Sequence, residues 1–421
     1  MKNLQTAYFP TVEAIKAAAE KLNGIAAVTP LEEHPRFSQE YECEMLFKRE
    51  DLQQVRSYKI RGAYNKISSL SDEETKEGII CASAGNHAQG VALSCRLLKI
   101  KGKIFMPAPT PNQKVEQVKM FGQEYVEVVL VGDTFDDSYH MAIKECEQFG
   151  KPLVHPFNDT KVIEGQGTVG LEIIQQAKSP IDYIFIPVGG GGLASGLSSI
   201  VKALSPNTKI IGVEPAGAPS MSRSINRGEV VQLDKIEKFV DGASVQRVGD
   251  LTFSICQKNL DVMTTVHEGK ICQTILEMYN KDAIVAEPAG VMSIAALDEF
   301  KDEIKGKTVV CLVSGSNNDI TRTAEIKERA LLYANLKHYF IIKFPQRPGA
   351  LREFVVEMLG PHDDITHFEY TKKVNRENDV AVVGIQLKTQ EDLQPLISKL
   401  KDHNFFGDYL NDKPELFQFL V

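Results

Sequence analysis

VGGGGLASG, residues 188–196, is the stretch whose reading decides the fold. Glycine gives up more backbone freedom on folding than any other residue, so four in a row imply a neighbour too close for a side chain. The apolar run YIFIPV (183–188) reads as a strand before the glycines, and 194–204 reads as a helix after them. A strand–turn–helix of this kind points free N–H groups and the positive end of a helix dipole at one spot. A phosphate is the natural occupant. Gly189, Gly191 and Ala194 also fit the GxGxxA dinucleotide fingerprint, with Glu214 ending the next strand where a ribose-binding acid would stand. The loop alone leaves a dinucleotide site, another phosphorylated cofactor and a plain structural turn open.

Around the loop, apolar runs alternate with amphipathic ones. CEMLFK, GIICAS, KIFMP, YVEVVLV, YIFIPV, KIIGVE and TVVCLVSG read as strands, and 60–70, 87–99, 113–121, 135–149, 194–204 and 320–334 as helices. That alternation predicts an α/β fold with mostly parallel sheets covered on both faces. Near residue 336 the pattern becomes strand, helix, strand, strand, helix, strand: KHYFIIKF, ALREFVVEMLG, DITHFEYTKK, DVAVVGIQLK, EDLQPLISKLKDHN and ELFQFLV. This is the order of a ferredoxin-like α+β domain. The expected division is a catalytic region over 1–335, with a smaller lobe inserted at roughly 50–155, followed by a separate domain over 336–421.

The chain has 421 residues, 43% hydrophobic and 25% charged, with net charge −8. The charge argues against a nucleic-acid or acidic-membrane partner. No apolar run approaches the ~20 residues that span a bilayer. The first residues, MKNLQTAYFPTVEAIKAAAEKL, read as an amphipathic helix rather than a signal peptide. Seven scattered cysteines without CxxC spacing fit reduced thiols in the cytoplasm, with neither disulfides nor a zinc site.

Two further stretches bear on the phosphate. In SYKIRGAYNKI (57–67), Lys59 opens a helix whose apolar positions Ile60, Ala63 and Ile67 pack inward. A Lys desolvated there has its pKa pulled down and becomes a usable amine, whereas most lysines are solvated surface charges. In CASAGNHAQG (81–90) a strand runs into small residues opening a helix, a second nest of N–H groups suited to a carboxylate or a plain capped turn. An amine, a phosphate cradle and a carboxylate nest together are what pyridoxal phosphate needs to handle an amino acid.

The chain resembles the fold-type-II pyridoxal-phosphate enzymes, and among them the threonine dehydratases (threonine ammonia-lyases), through KREDLQQVRSYKIRGAYNKI, ASAGNHAQGVA, GQGTVGLEI, VGGGGLASG, IGVEPAG, VAEPAG and VSGSNND in that order. The resemblance implies a two-lobed catalytic region and pyridoxal 5'-phosphate as cofactor. Lys59 would take the cofactor's aldehyde and Asn86 its phenolic oxygen. Gly189, Gly190, Gly191, Gly192 and Leu193 would hold its phosphate, and Ser314 would face its ring nitrogen. Ser83, Ala84, Gly85, Asn86 and His87 would receive the substrate carboxylate. The implied reaction takes L-threonine, and also L-serine, with Lys59 removing the α-proton, loss of the β-hydroxyl, and release of a 2-oxo acid and ammonia. Serine racemases carry Ser where this chain has Ala84, which disfavours racemisation. They bind a cation through acids after GVEP, whereas Glu214 here is followed by AGAPS, so no metal is expected. Glu287 is either a buried carboxyl near the ring or an ordinary capped acid. FPQRPGALREF resembles the ACT-like regulatory domains of biosynthetic threonine dehydratases. It implies a homotetramer inhibited by isoleucine, with valine opposing; the plain alternative is a packing domain. A catabolic serine/threonine dehydratase is the alternative to the biosynthetic reading.

Overall fold

Runs such as YIFIP and TVVCLV, apolar at every position, are stable only with both faces covered, and every residue of both is buried. The computed structural model describes residues 8–371, 378–413 and 415–417. The chain divides into two compact units, residues 1–320 and 321–421.

The described residues of the first unit form nine strands: β1 (Leu31–Glu33), β2 (Glu44–Arg49), β3 (Ile79–Ala82), β4 (Gly102–Met106), β5 (Val126–Leu130), β6 (Tyr183–Pro187), β7 (Lys209–Pro215), β8 (Val262–Val266) and β9 (Thr308–Val313). One sheet runs β1-β2-β9-β6-β7-β8, and a smaller one β3-β4-β5. Every pairing is parallel except β1 with β2. This is the expected α/β, two-lobed arrangement. All seven expected strands of this unit form. β1 and β8 were not expected: they are edge strands, and VMTTV of β8 is mostly half-exposed, so it lacks the continuous apolar signature.

The helices that position the site are α1 (Val12–Lys21), α2 (Lys59–Ile67), α3 (Asn86–Leu98), α4 (Asn112–Gly122), α5 (Thr160–Gln176), α6 (Gly192–Leu204) and α7 (Ser220–Arg227). α1 lies within the expected N-terminal helix, whose residues 1–7 lie outside the described residues. GQGTVG lies on α5, where its glycines allow near-contact of backbones. A Cβ on Gly165 would stand 2.5 Å from the Arg61 carbonyl, and one on Gly196 would stand 2.2 Å from the Ile163 carbonyl. Helices α2, α5 and α6 therefore approach backbone to backbone at these points.

A buried, charge-balanced ion cluster fixes the start of α2. Arg61, 1% exposed, donates to Glu50 at 2.7 and 2.8 Å and to Glu172 at 2.6 and 2.9 Å. Lys48 donates to Glu172 and to the Thr29 carbonyl, each at 2.6 Å. Removing one member would strand a buried charge, a loss of about 3–5 kcal/mol.

In the second unit, β10 (Lys337–Pro345), β11 (Asp364–Thr371), β12 (Asn378–Gln386) and β13 (Phe406–Tyr409) form an antiparallel sheet in the order β11-β12-β10-β13. Phe340, Phe354, Val383 and Phe405 fill its core, with the helix Leu393–Asp402 packed in through Leu396 and Leu400. The ferredoxin-like order holds, but its last strand is misplaced by the sequence reading. ELFQFLV was expected to supply it, yet residues 415–417 are helical and 418–421 lie outside the described residues. The strand is Phe406–Tyr409. Asn404, at φ +63°, turns the chain after the helix and Phe405 drops into the core, which lays FGDY beside β10. Gly407 and Asp408 hide that strand from hydrophobic alternation. Of DITHFEYTKK, the last two residues lie outside the described residues.

Candidate active site

Lys59 is the first residue of α2, half-buried, and its Nζ donates to the Pro156 carbonyl at 3.1 Å. Burial pulls its pKa down to about 8, and the Glu287 carboxyl opposes that shift. Pro156 leads into Phe157, whose ring lies against the glycine loop. A Cβ on Gly190 would meet that ring at 2.2 Å, and one on Gly192 would meet the Phe157 Cβ at 2.9 Å. Two consecutive residues thus join the amine at 59 to the bare turn at 190–192.

The other two glycines are enclosed as well. A Cβ on Gly189 would strike Ala243 at 2.9 Å, and one on Gly191, at φ +91°, would strike Met221 at 2.7 Å. The neighbour that forbids side chains here is therefore protein as well as any ligand. Leu193 is buried in the core behind the turn. Among the described residues no side chain caps the N-terminus of α6, so its first N–H groups stay available to an anion.

SAGNH connects β3 to α3 and is more open. Ser83, Ala84, Gly85 and Asn86 are all half-buried, and among the described residues no side chain caps α3 and a Cβ on Gly85 would meet nothing within 4 Å. His87 turns inward instead: its Nε2 meets the Val154 carbonyl at 2.8 Å, and burial depresses its pKa to about 3, the nearby Lys59 charge adding to the effect. Only the backbone of His87 belongs to the turn.

Asn86 donates to Glu287 Oε1 at 2.6 Å and accepts from Asn317 at 2.6 Å. Glu287 is buried, and desolvation pushes its pKa up to about 7, Asp241 adding to the rise while Asn86 and Lys114 of α4 oppose it. It is thus the buried carboxyl of the two alternatives. It also presses on Gly315, where a Cβ would lie 2.3 Å from its oxygen. Ser314, 2% exposed, donates to the Ala289 carbonyl at 3.2 Å and accepts through its own carbonyl from Tyr58 N–H. Lys59, Asn86, Glu287 and Ser314 are thereby tied together through their immediate neighbours.

Glu214 stands elsewhere. It is fully buried and accepts from the backbone of Met221 and Ser222 at 2.6 and 2.8 Å and from the Ser222 hydroxyl at 2.7 Å, capping α7. A carboxylate enclosed and engaged in this way is not available to a ribose, which removes the acid that the dinucleotide reading requires.

A model of the pyridoxal-phosphate dependent enzyme family matches residues 22–315, and one of the C-terminal regulatory domain of threonine dehydratase matches 328–420. The biosynthetic L-threonine dehydratase IlvA of Halalkalibacterium halodurans is 55% identical over 97% of this chain and 99% of its own length. This chain belongs to the threonine dehydratases. The IlvA of Bacillus subtilis is 52% identical over 97% of each chain. The solved processed form of threonine deaminase isoform 2 from Solanum lycopersicum superposes with a TM-score of 0.73 at 40% identity, over 76% of this chain and 88% of that one.

The residues fit the family's pyridoxal phosphate. The desolvated amine of this threonine dehydratase lies beside a bare helix start, and two enclosed hydroxyls nearby, Ser57 Oγ and Ser244 Oγ, have no hydrogen-bond partner among the described residues. Ser57 bridges to Gly315, and Ser244 follows the Ala243 that packs on Gly189. Neither serine was singled out from sequence, nor were Pro156, Phe157 and Asn317. Asn317 lies within VSGSNND, but its partners are more than 200 residues away.

A recess of about 280 Å³ opens in the second unit, lined in part by Phe344, Arg347, Leu351, Phe368, Tyr370 and Asp379. The Asp379 carboxylate accepts from Gln346 at 3.0 Å and from the Tyr370 hydroxyl at 2.7 Å.

Proposed function

We propose that this chain deaminates L-threonine to 2-oxobutanoate and ammonia as the first step of isoleucine synthesis, and accepts L-serine as a second substrate. The observation that carries the reading is near-full-length likeness to biosynthetic dehydratases, joined to a desolvated Lys59 beside the uncapped glycine turn.

Pyridoxal phosphate, when bound, supplies an aldehyde that captures the amino group and a ring that draws electrons from Cα. Lys59 is assigned to that aldehyde and Gly189 to Leu193 to the phosphate. Asn86 is assigned to the phenolic oxygen and Ser314 to the ring nitrogen. With its pKa near 8 rather than 10.5, about a tenth of the Lys59 amine is neutral at pH 7, against a few parts in ten thousand for an ordinary lysine. That neutral amine is the base for the α-proton. The open SAGNH turn holds the substrate carboxylate through its backbone N–H groups. Ala84 puts no acid or base of its own beside the turn, which favours elimination over racemisation.

The regulatory reading assigns isoleucine, opposed by valine, to the recess of the second unit. Its size is at the small end of ligand pockets, and it offers aromatic walls with a buried carboxylate. We assign residues 1–335 to catalysis and 336–421 to regulation, in a homotetramer. The cytoplasm is the compartment we infer, a reading supported by seven cysteines that form no disulfide among the described residues.

Oxo-acid release from threonine, with and without isoleucine, tests the assignment. Lys59→Ala should abolish it while cofactor still binds, and removing residues 336–421 should leave turnover but end isoleucine inhibition. Turnover of threonine by Lys59→Ala at the wild-type rate would sink the catalytic assignment, and inhibition surviving the deletion would sink the regulatory one.

A further inference from the structure

The hydrogen bonds around Asn86 have a direction that is forced from one end. The Asn317 side-chain nitrogen donates to the Val55 carbonyl at 2.9 Å and to Asn86 Oδ1 at 2.6 Å. A main-chain carbonyl can only accept, so Asn317 has to turn its NH2 group toward Val55 and, with it, toward Asn86. Asn86 must then answer with its oxygen. Its own nitrogen is left facing Glu287 Oε1, 2.6 Å away. The Glu287 carboxyl also accepts from the Asn317 backbone N–H, which closes the set. Reversing Asn86 would put its oxygen against that carboxyl and its NH2 against another NH2, leaving buried groups unpaired.

The arrangement is unfavourable for Asn317 itself. Its Oδ1 is enclosed and has no partner among the described residues. An orientation that leaves a buried oxygen unsatisfied persists because the two donations from its nitrogen hold it. What it accomplishes lies at Asn86. An amide nitrogen carries two hydrogens. One goes to Glu287 and, among the described residues, the second has no partner.

We propose that Asn317 is a positioning residue for the cofactor: it holds Asn86 with its NH2 side toward the cleft, and so keeps one N–H available for the ring oxygen of pyridoxal phosphate. The inference rests on the assignment of Asn86 to that oxygen. With the amide reversed, its carbonyl would confront the same oxygen, and attraction would become repulsion.

The test is the visible absorption band of the reconstituted holoenzyme, followed against pH in wild type, Asn86→Ala, Asn317→Ala and Asn317→Asp. An N–H donated to the ring oxygen steadies negative charge there, so loss of the donor raises the pH at which the band changes. Asn86→Ala should move that midpoint up by about one unit. Both Asn317 variants should move it the same way by a comparable amount. Adding Asn317→Ala to Asn86→Ala should produce no further shift, because the one acts through the other. An unchanged band in Asn86→Ala would remove the assignment of Asn86, and the proposal with it. A shift in Asn86→Ala with none in either Asn317 variant would leave that assignment standing and overturn the positioning role. Asn317→Asp is nearly isosteric and carries the test where the Ala variant does not fold.

Discussion

Two strand-to-helix turns of the catalytic unit, GGGGL after β6 and SAGNH after β3, look alike in sequence and differ in what surrounds them. Each is rich in small residues, and neither following helix has a side-chain cap among the described residues. At GGGGL every missing Cβ is replaced by protein: Ala243, Phe157, Met221 and Phe157 again. At SAGNH the space beside Gly85 is open. A turn clamped by its own chain is pre-organised and loses little entropy on binding, which suits a cofactor that stays. An open turn suits a substrate that enters and leaves at every turnover. The same local chemistry, N–H groups at a helix start, is thus put to two uses by packing.

The comparison breaks most readily at Gly190. Gly190→Ala drives a methyl into the Phe157 ring and should destabilise the protein by about 3 kcal/mol, with cofactor lost during gel filtration. Thermal unfolding and the visible band would measure both. Phe157→Ala in the same chain should restore part of the stability, and no recovery would mean that the ring is not the obstacle. Next comes Glu287, the carboxyl behind the open turn. Its pKa near 7 lies above the 4.5 of an unfolded chain. Between those values the folded form holds a proton that the unfolded chain has released, so stability falls as pH rises through the window and levels off above it. Glu287→Gln should flatten that dependence in the cofactor-free protein by about 1–2 kcal/mol, read from urea midpoints at pH 5.5 and 7.5. Gly85→Ala should do least. Its methyl meets nothing, so stability should change by less than about 0.5 kcal/mol, while the KM for threonine rises and kcat holds. A thermal midpoint falling as far as that of Gly190→Ala would erase the distinction between the turns.

Much of this was legible in the chain. The interior strands β6 and β9 are apolar at every position because both faces are covered, and β2 and β7 carry buried apolar runs (MLF and IIGV) between charged residues; such runs announce themselves. Strands without such a run stay hidden: VMTTV of β8 is mostly half-exposed, and FGDY, half-buried throughout, carries less apolar signal than ELFQFLV. The site followed the same logic. Lys59 stands in a recognisable segment, whereas Glu287 and Asn317 acquire meaning only from Asn86, 201 and 231 residues away. Glu214 shows the converse: its position matched a ribose-binding acid, and its hydrogen bonds to α7 assign it a structural task.

By itself, then, the order of residues determined the alternation of strand and helix, the bare turn and the amine that opens α2. Those follow from burial and backbone freedom, which act over a few neighbouring positions. Only the tertiary structure decided which turn is sealed and which is open, which carboxyl lies beside Asn86, and which way that amide faces. Those depend on steric contact and hydrogen-bond direction between segments that meet only after the chain has folded.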